Sequence, residues 1–305
     1  MKTIVSSLLG VFFVMLLAGC GGGSGTGTAG DTSSAAKTDT TPASTGSTAG
    51  FKLGVQMWTF NHFTFVDALA KVDSAGIKNI EAFWGQKLGG GLPGEFGDKM
   101  TDDTRAKLKK ILSDKGIQIV AMGVIAPNGA KEWTSAIKLA KDFGLSYITC
   151  EPIKTQWGLA DSLAGAAGLK LAIHDHPNDP KNHHPHPYGD PDSVLEAVSG
   201  HPNIGSCADV GHWARNGVNP VDALKKLEGH VYGVHLKDVV KFNDAYAADT
   251  VVGHGVNDFH AIFTELKREN FNGMLSIEQE SNWWHNLTDV IADKKLFDDE
   301  MAKLK

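Results

Sequence analysis

The strongest constraint on this chain is a repeat of pattern rather than of residues: from Leu53 to Glu278, short apolar runs rich in Val and Ile alternate with stretches of helical period. Eight of the runs read as strands: Leu53 to Trp58, Asn79 to Phe83, Gln118 to Gly123, Ser146 to Cys150, Lys170 to His174, Ile204 to Asp209, Val231 to Leu236 and Met274 to Glu278. Between them lie segments such as Phe65 to Ala75, Asp102 to Asp114, Lys131 to Phe143, Pro220 to Leu227 and Asp258 to Glu269. There, apolar residues recur every three or four positions, which gives a helix one face to bury. Several of these segments run into glycine, at Gly76, Gly116, Gly144, Gly229 and Gly273, where a left-handed residue is expected to close the helix before the next strand. Strands joined by crossover helices make a parallel sheet. The regular return of helix, glycine and strand predicts an α/β fold of the (β/α)8 TIM-barrel kind. A doubly wound open sheet would carry a glycine-rich phosphate loop after its first strand, and Thr59-Phe60-Asn61-His62-Phe63 is no such loop.

Residues 51–305 are close to the ~250 residues typical of such a barrel. Ahead of them, Met1-Lys2 and the apolar run from Ile4 to Leu17 have the form of a secretory signal. The run is too short to be a convincing membrane span. Leu17-Ala18-Gly19-Cys20 resembles a bacterial lipobox, which implies a signal peptide over 1–19, cleavage before Cys20 and lipid attachment there. Residues 20–50 are nearly all Gly, Ser, Thr, Ala and Asp and cannot bury enough apolar surface to fold, so they read as a tether. The expectation is an exported lipoprotein on the periplasmic side of the inner or outer membrane, meeting the bilayer only through its lipid. A net charge of −6 offers no basic face for nucleic acid. Beyond Cys20 only Cys150 and Cys207 remain; strand alternation points the first outward and the second inward, so no disulfide is expected.

Ionisable residues gather at one end of the strands. Glu81 lies inside the second, Glu151 directly follows the fourth, His174 and His176 close the fifth, Asp209 the sixth, His235 the seventh and Glu278 the eighth. Apolar strands feeding a packed barrel exclude charge unless it is paired or bound to metal. Barrel enzymes place their chemistry at this carboxyl end. Carboxylates and imidazoles converging on one mouth suit one divalent ion, Mn, Mg or Co for an oxygen-rich shell, with Zn tolerated. A glutamate inside a strand more often supports a ligand than serves as one, which leaves Glu81 outside the ligand set.

Four phrases at these strand ends carry a family resemblance: Glu151-Pro152, Asp209-Val210-Gly211-His212-Trp213 with Arg215, His235-Leu236-Lys237-Asp238, and Ile277-Glu278-Gln279-Glu280. With the opening Leu53-Gly54-Val55-Gln56-Met57-Trp58, they resemble the sugar isomerase and epimerase family with the xylose-isomerase-like barrel, of the tagatose 3-epimerase and inosose dehydratase kind. The resemblance covers essentially all of 51–305. It implies Glu151, Asp209, His235 and Glu278 as metal ligands, with His212 and Arg215 reaching the substrate. Two phrases depart from the family pattern. Strand five often carries a glutamate two residues before a histidine, and here reads His174-Asp175-His176-Pro177; Gly253-His254-Gly255 has histidine where an acid is expected.

A metal that holds adjacent carbonyl and hydroxyl oxygens of a sugar acidifies the neighbouring C–H by stabilising the enediolate. Strands four and eight stand opposite each other in a ring of eight. Glu151 and Glu278 are therefore expected as an acid/base pair addressing opposite faces, as a keto-sugar isomerase or epimerase requires. The same enolate can expel a β leaving group, which would make the protein a lyase or hydratase on 3-keto-glycosides or keto-inositols, with His174 or His176 protonating the departing oxygen. A sugar-binding lipoprotein without catalysis is the third reading. Catalytic parts are expected from Glu151, Glu278, His174 and His212, and substrate contacts from His176, Arg215, Lys237 and Trp58. Arg215 could equally pair with a loop acid, and Lys237 with Asp238. His183, His184 and His186 lie among prolines and read as a polar lid rather than a second metal tract.

Overall fold

The computed structural model describes residues 50–181 and 185–304. The expected signal peptide, Cys20, the tether up to residue 49, and His183 and His184 lie outside the described residues.

Eight parallel strands close into a barrel in chain order: β1 (Lys52–Gln56), β2 (Asn79–Phe83), β3 (Gln118–Ile125), β4 (Tyr147–Cys150), β5 (Lys170–His174), β6 (Ile204–Asp209), β7 (Val231–Leu236) and β8 (Met274–Ile277). The ring closes where β1 pairs with both β2 and β8. Nine helices among the described residues follow the strands: α1 (Phe65–Ser74), α2 (Asp102–Lys115), α3 (Gly129–Phe143), α4 (Trp157–Ala167), α5 (Pro191–Val198), α6 (Val210–Arg215), α7 (Pro220–Lys226), α8 (Phe259–Arg268) and α9 (Leu287–Lys303).

The strands begin and end close to where their apolar runs do. β1 stops earlier, at Gln56, because that side chain accepts the Trp58 N–H at 3.0 Å and turns the chain into a short 3-10 segment over Met57–Phe60. Two small antiparallel hairpins, Lys87–Gly89 with Leu92–Glu95 and Asp238–Val239 with Asp249–Thr250, are too short to announce themselves by alternation.

Left-handed glycines close α2 and α3, at Gly116 (φ 61°) and Gly144 (φ 70°). Gly273 is present for another reason than the one expected. Its φ is not positive, and a Cβ there would lie 2.5 Å from the Tyr232 carbonyl and from the Phe271 ring.

Alternation along the strands sorts the interior. Outward residues such as Val55, Ile80, Ile148, Ile173, Val234 and Leu275 are fully buried against helix residues including Leu69, Leu108, Trp133 and Phe263, each such side chain contributing about 1.5–3 kcal/mol. Inward, Tyr147 and Met274 fill the floor of the barrel. Glycine makes that filling possible: a Cβ at Gly233 would lie 2.4 Å from the Tyr147 hydroxyl, and one at Gly54 would lie 2.5 Å from the Met274 sulfur. Cys150 belongs to the outer core and Cys207 to the barrel floor, and both are free thiols. Above the floor the inward positions turn polar, with Gln56, Glu81, His174, Asp209, His235 and Ser276 all buried.

Candidate metal centre

Four adjacent strands bring one polar group each to the mouth. His174, Asp209, His235 and Glu278, from the ends of β5 to β8, offer ligand atoms that all lie within 4.8 Å of one another. Nδ1 of His235 is 2.9 Å from Glu278 Oε2, 3.2 Å from His174 Nε2 and 3.9 Å from Asp209 Oδ2. Asp209 Oδ2 and Glu278 Oε2 are buried oxygens that share one close cation, the Lys237 ammonium, at 3.0 and 3.2 Å. Two imidazole nitrogens and two carboxylate oxygens so close together are a donor set that fits a divalent cation.

The surrounding side chains aim these atoms. Glu81 Oε2 lies 3.0 Å from His235 Nε2 and also accepts the Ser276 hydroxyl at 3.2 Å, while its Oε1 accepts from Gln56 at 3.1 Å. With Nε2–H engaged there, the Nδ1 lone pair of His235 faces the cluster. Asp209 Oδ1 accepts the N–H groups of Gly211 and His212 at the start of α6, both at 2.9 Å, which turns Oδ2 inward. Asp175 accepts the Asp209 N–H at 2.8 Å; burial and the neighbouring Asp209 push its own carboxyl well above the usual range.

Glu151 stands outside this group of four and forms a second one with His174 and His176, whose ligand atoms also lie within 4.8 Å of one another. His174 lies between: its Nδ1 is 3.5 Å from Glu151 Oε1, while its Nε2 faces Asp209 at 3.7 Å. The carboxylate of Glu151 is turned instead to His176 Nδ1, at 2.6 Å, and to His186 Nε2, at 3.5 Å. Burial would raise the Glu151 carboxyl, but His174, His176 and His186 outweigh it and hold the group well below the usual range. The physical reason is reach: an imidazole on β5 extends into the cluster, and Glu151 is left behind it. His186, on the loop after β5, thus contacts Glu151 without lining the cavity over the cluster.

Lys237 is neither solvated nor paired with Asp238. It is 1% exposed, and its ammonium lies 3.0 Å from Asp209 Oδ2 and 3.2 Å from both Glu278 Oε2 and Glu280 Oε2. Burial opposes that charge, yet Asp209, Glu278 and Glu280 hold its pKa well above the ordinary lysine range. Asp238 faces away and accepts N–H groups of Val239, Gly253, Gly255 and Asn257. The Gly253-His254-Gly255 phrase is therefore a backbone cradle for a buried carboxylate.

His212 is wedged between cations, with Lys237 Nζ 3.2 Å from its Nε2 and Arg215 donating to its Nδ1 at 3.0 Å. Burial keeps the ring's pKa well below 6.5. Arg215 is spent on the protein: besides His212 it donates to the Ala247 carbonyl at 3.0 Å and pairs with Asp249 on the hairpin after β7. Burial raises Asp249 to about 6 despite that partner.

A cavity of about 220 Å³ opens over the cluster. His174, His176, His212 and Glu278 form its reactive side, and Trp58, Phe83, Gln56 and Glu280 the other walls, so neither Arg215 nor Glu151 lines it. Gln56 and Glu280 were not singled out from the sequence. A signal for Glu280 was present, since it follows Glu278 by two residues and shares its face. It accepts the Trp58 indole N–H at 2.9 Å.

Fold and site together define an α/β barrel protein with a cluster of histidines and carboxylates, able to hold a cation, at the carboxyl ends of its strands. The chain belongs to the xylose isomerase-like TIM barrel family, whose profile matches residues 69–305. Inosose dehydratase of Clostridium botulinum is 36% identical over 88 residues, which is 24% of this chain and 30% of that protein. The chain thus spans under a third of the length of the curated relatives it matches. An uncharacterized protein of known structure from Parabacteroides distasonis is 31% identical, with a TM-score of 0.66 over 82% of this chain and 99% of that one. A D-tagatose 3-epimerase-like protein shares the fold at 17% identity, with a TM-score of 0.65 over 83% and 98% of the two chains. The IolI protein, whose crystal structure carries a bound zinc atom, does so at 18%, with a TM-score of 0.64 over 84% and 99%.

Proposed function

We propose that this chain is a metal-dependent carbon–oxygen lyase, eliminating a group β to the carbonyl of a keto-sugar or keto-inositol by way of an enolate. The observation that carries the reading is the placement of Glu151 behind His176, 2.6 Å from its Nδ1. An epimerase with Glu151 and Glu278 as opposed bases needs both carboxylates on the cavity wall. Of the two, Glu278 lines the cavity, while Glu151 backs an imidazole that does. A carboxylate this close to an imidazole stabilises the ring's charged form, which lets one side chain serve first as base and then as acid.

When bound by His174, Asp209, His235 and Glu278, a divalent ion supplies Lewis-acid polarisation of a carbonyl oxygen. Two imidazoles among the four donors make Zn, Co or Mn better suited than Mg. Burial, despite the partnership with Glu151, lowers the pKa of His176, so the ring is neutral and basic near neutral pH. With Nδ1 facing Glu151, Nε2 is free to take the proton from the carbon next to the carbonyl. The C–H electrons move toward the carbonyl oxygen, and the enolate then expels the β oxygen as its C–O bond breaks. The imidazolium, compensated by Glu151, returns the proton to the departing oxygen, so a single group serves both transfers. The ammonium of Lys237 offsets the negative charge collected at Asp209, Glu278 and Glu280. The partial likeness to inosose dehydratase supports elimination from a keto-ring, and the export expected from the signal-like residues 1–19 would favour unphosphorylated substrates such as 3-keto-glycosides.

The test is incubation of the manganese- or zinc-loaded protein with aryl 3-keto-β-glucosides in deuterium oxide. Release of the phenol with formation of an enone is expected, abolished by His176→Ala while bound metal is retained. Deuterium exchange into recovered ketose without phenol release would instead establish the epimerase and sink the lyase.

A further inference from the structure

We propose that the mouth carries a second subsite, which binds a ring covalently attached to the sugar held over the metal centre; it rests on the keto-sugar reading above. Five side chains form an unbroken contact path from cavity to surface. Phe83 and Trp58 line the cavity with ring centroids 4.7 Å apart. Trp58 meets Trp283 edge-on at 6.2 Å, Trp283 stacks with His62 at 5.3 Å, and His62 meets Trp284 at 4.9 Å. Trp284 is 60% exposed, so the path begins beside Glu278 and ends in solvent.

Trp58, Phe83 and Trp283 are half-buried, and Trp284 leaves a large aromatic face in water, which is costly unless something covers it. These are also held in place. Asn286, fully buried, donates to the Thr59 carbonyl at 2.5 Å, and the Gln279 N–H donates to the Thr59 hydroxyl at 3.1 Å. The loop bearing Trp283 and Trp284 is thereby fastened to the turn bearing Trp58, with His62 just beyond it. A platform ordered before the ligand arrives spends little entropy on binding.

Size and chemistry name the occupant. A cavity of about 220 Å³ holds roughly seven waters at ~30 Å³ each, the bulk of a single six-membered sugar ring. A group joined to that ring must extend outside, and on this side it meets Trp58 and then Trp283. Flat apolar faces bordered by Asn61, Asn282 and Glu280 suit a ring with one apolar face and hydroxyls at its edge, or an aryl group.

Calorimetry on the full chain with methyl β-glucoside, phenyl β-glucoside and methyl β-cellobioside tests this, since none carries the ring ketone that elimination needs and binding is read without turnover. Either two-ring probe is expected to bind about tenfold tighter than methyl β-glucoside, and comparison of the two shows whether an aryl or a sugar ring is preferred. In Trp283→Ala/Trp284→Ala the advantage falls to twofold or less, and Trp283→Phe/Trp284→Phe restores part of it. A ratio near one in the unaltered protein, a ratio that survives the double alanine change, or no binding of any probe overturns the subsite. A two-ring preference without elimination from the keto forms keeps the subsite and removes the lyase; elimination without the preference does the reverse.

Discussion

Glu81 Oε2 lies 3.0 Å from Nε2 of His235, on the opposite side of the ring from Glu278, which is 2.9 Å from Nδ1. A buried carboxylate behind an imidazole fixes the tautomer and raises the basicity of the far nitrogen. Glu81→Ala is expected to weaken divalent-metal affinity by about 10–100-fold with the barrel intact. Metal titration followed by calorimetry reads this directly. Unchanged affinity would mean that His235 is not a ligand through Nδ1.

Proton release should accompany metal uptake. Burial opposes charge on His174, but Asp209 and Glu151 outweigh it and lift its pKa to about 9. A cation arriving at Nε2 must displace that proton. Burial opposes charge on His235 as well, but Cys207, Glu278 and Glu81 hold its pKa well above 6.5, so affinity rises with pH by at least tenfold per unit below 9. Calorimetry in buffers of different ionisation enthalpy at pH 7.5 should find at least one proton released per ion. Finding none would exclude His174 from the ligand set.

The pairing of His176 with Glu151 predicts a pH profile as well as a rate. His176 acts as a base only when neutral, and burial places its folded pKa below 6.5. The acid limb of kcat/KM is therefore expected below pH 6.5, with activity lost as pH falls through it. His176→Ala should reduce kcat by about 10²–10⁴. Glu151→Gln removes the partner that holds the ring's charge up, so the limb should move to lower pH as kcat drops. A limb that stays put in Glu151→Gln would assign the titration to another group.

The barrel floor offers a prediction independent of catalysis. Gly233 leaves room for the Tyr147 hydroxyl, which is buried without a hydrogen-bond partner. Gly233→Ala places a methyl group 2.4 Å from that oxygen and should destabilise the fold by about 1–3 kcal/mol. Tyr147→Phe added to it should recover part of the loss, whereas Tyr147→Phe alone should be close to neutral or stabilising. Chemical denaturation of the four proteins in a double-mutant cycle reads the coupling, and strict additivity would contradict the contact.

Strand and helix periods are local properties, and so were readable along the chain. The inward facing of Glu81, Asp209, His235 and Glu278 follows from alternation once the strands are assigned. The hairpin over Asp238–Val239 and Asp249–Thr250 was not readable, and with it went Asp249, the acid that occupies Arg215. The burial of Lys237 was also hidden, because its partners Asp209, Glu278 and Glu280 come from separate strands.

By itself the sequence determined the eight-stranded barrel, the end of it that bears ionisable groups, and the supporting place of Glu81 within a strand. Those conclusions depend on periods of two and 3.6 residues, which neighbouring positions impose on one another. Only the tertiary structure decided that His174 joins Asp209, His235 and Glu278 while Glu151 stands behind His176. That choice depends on the register of adjacent strands and on how far an imidazole or a carboxylate reaches across the mouth. Neither property exists until the ring of strands has closed.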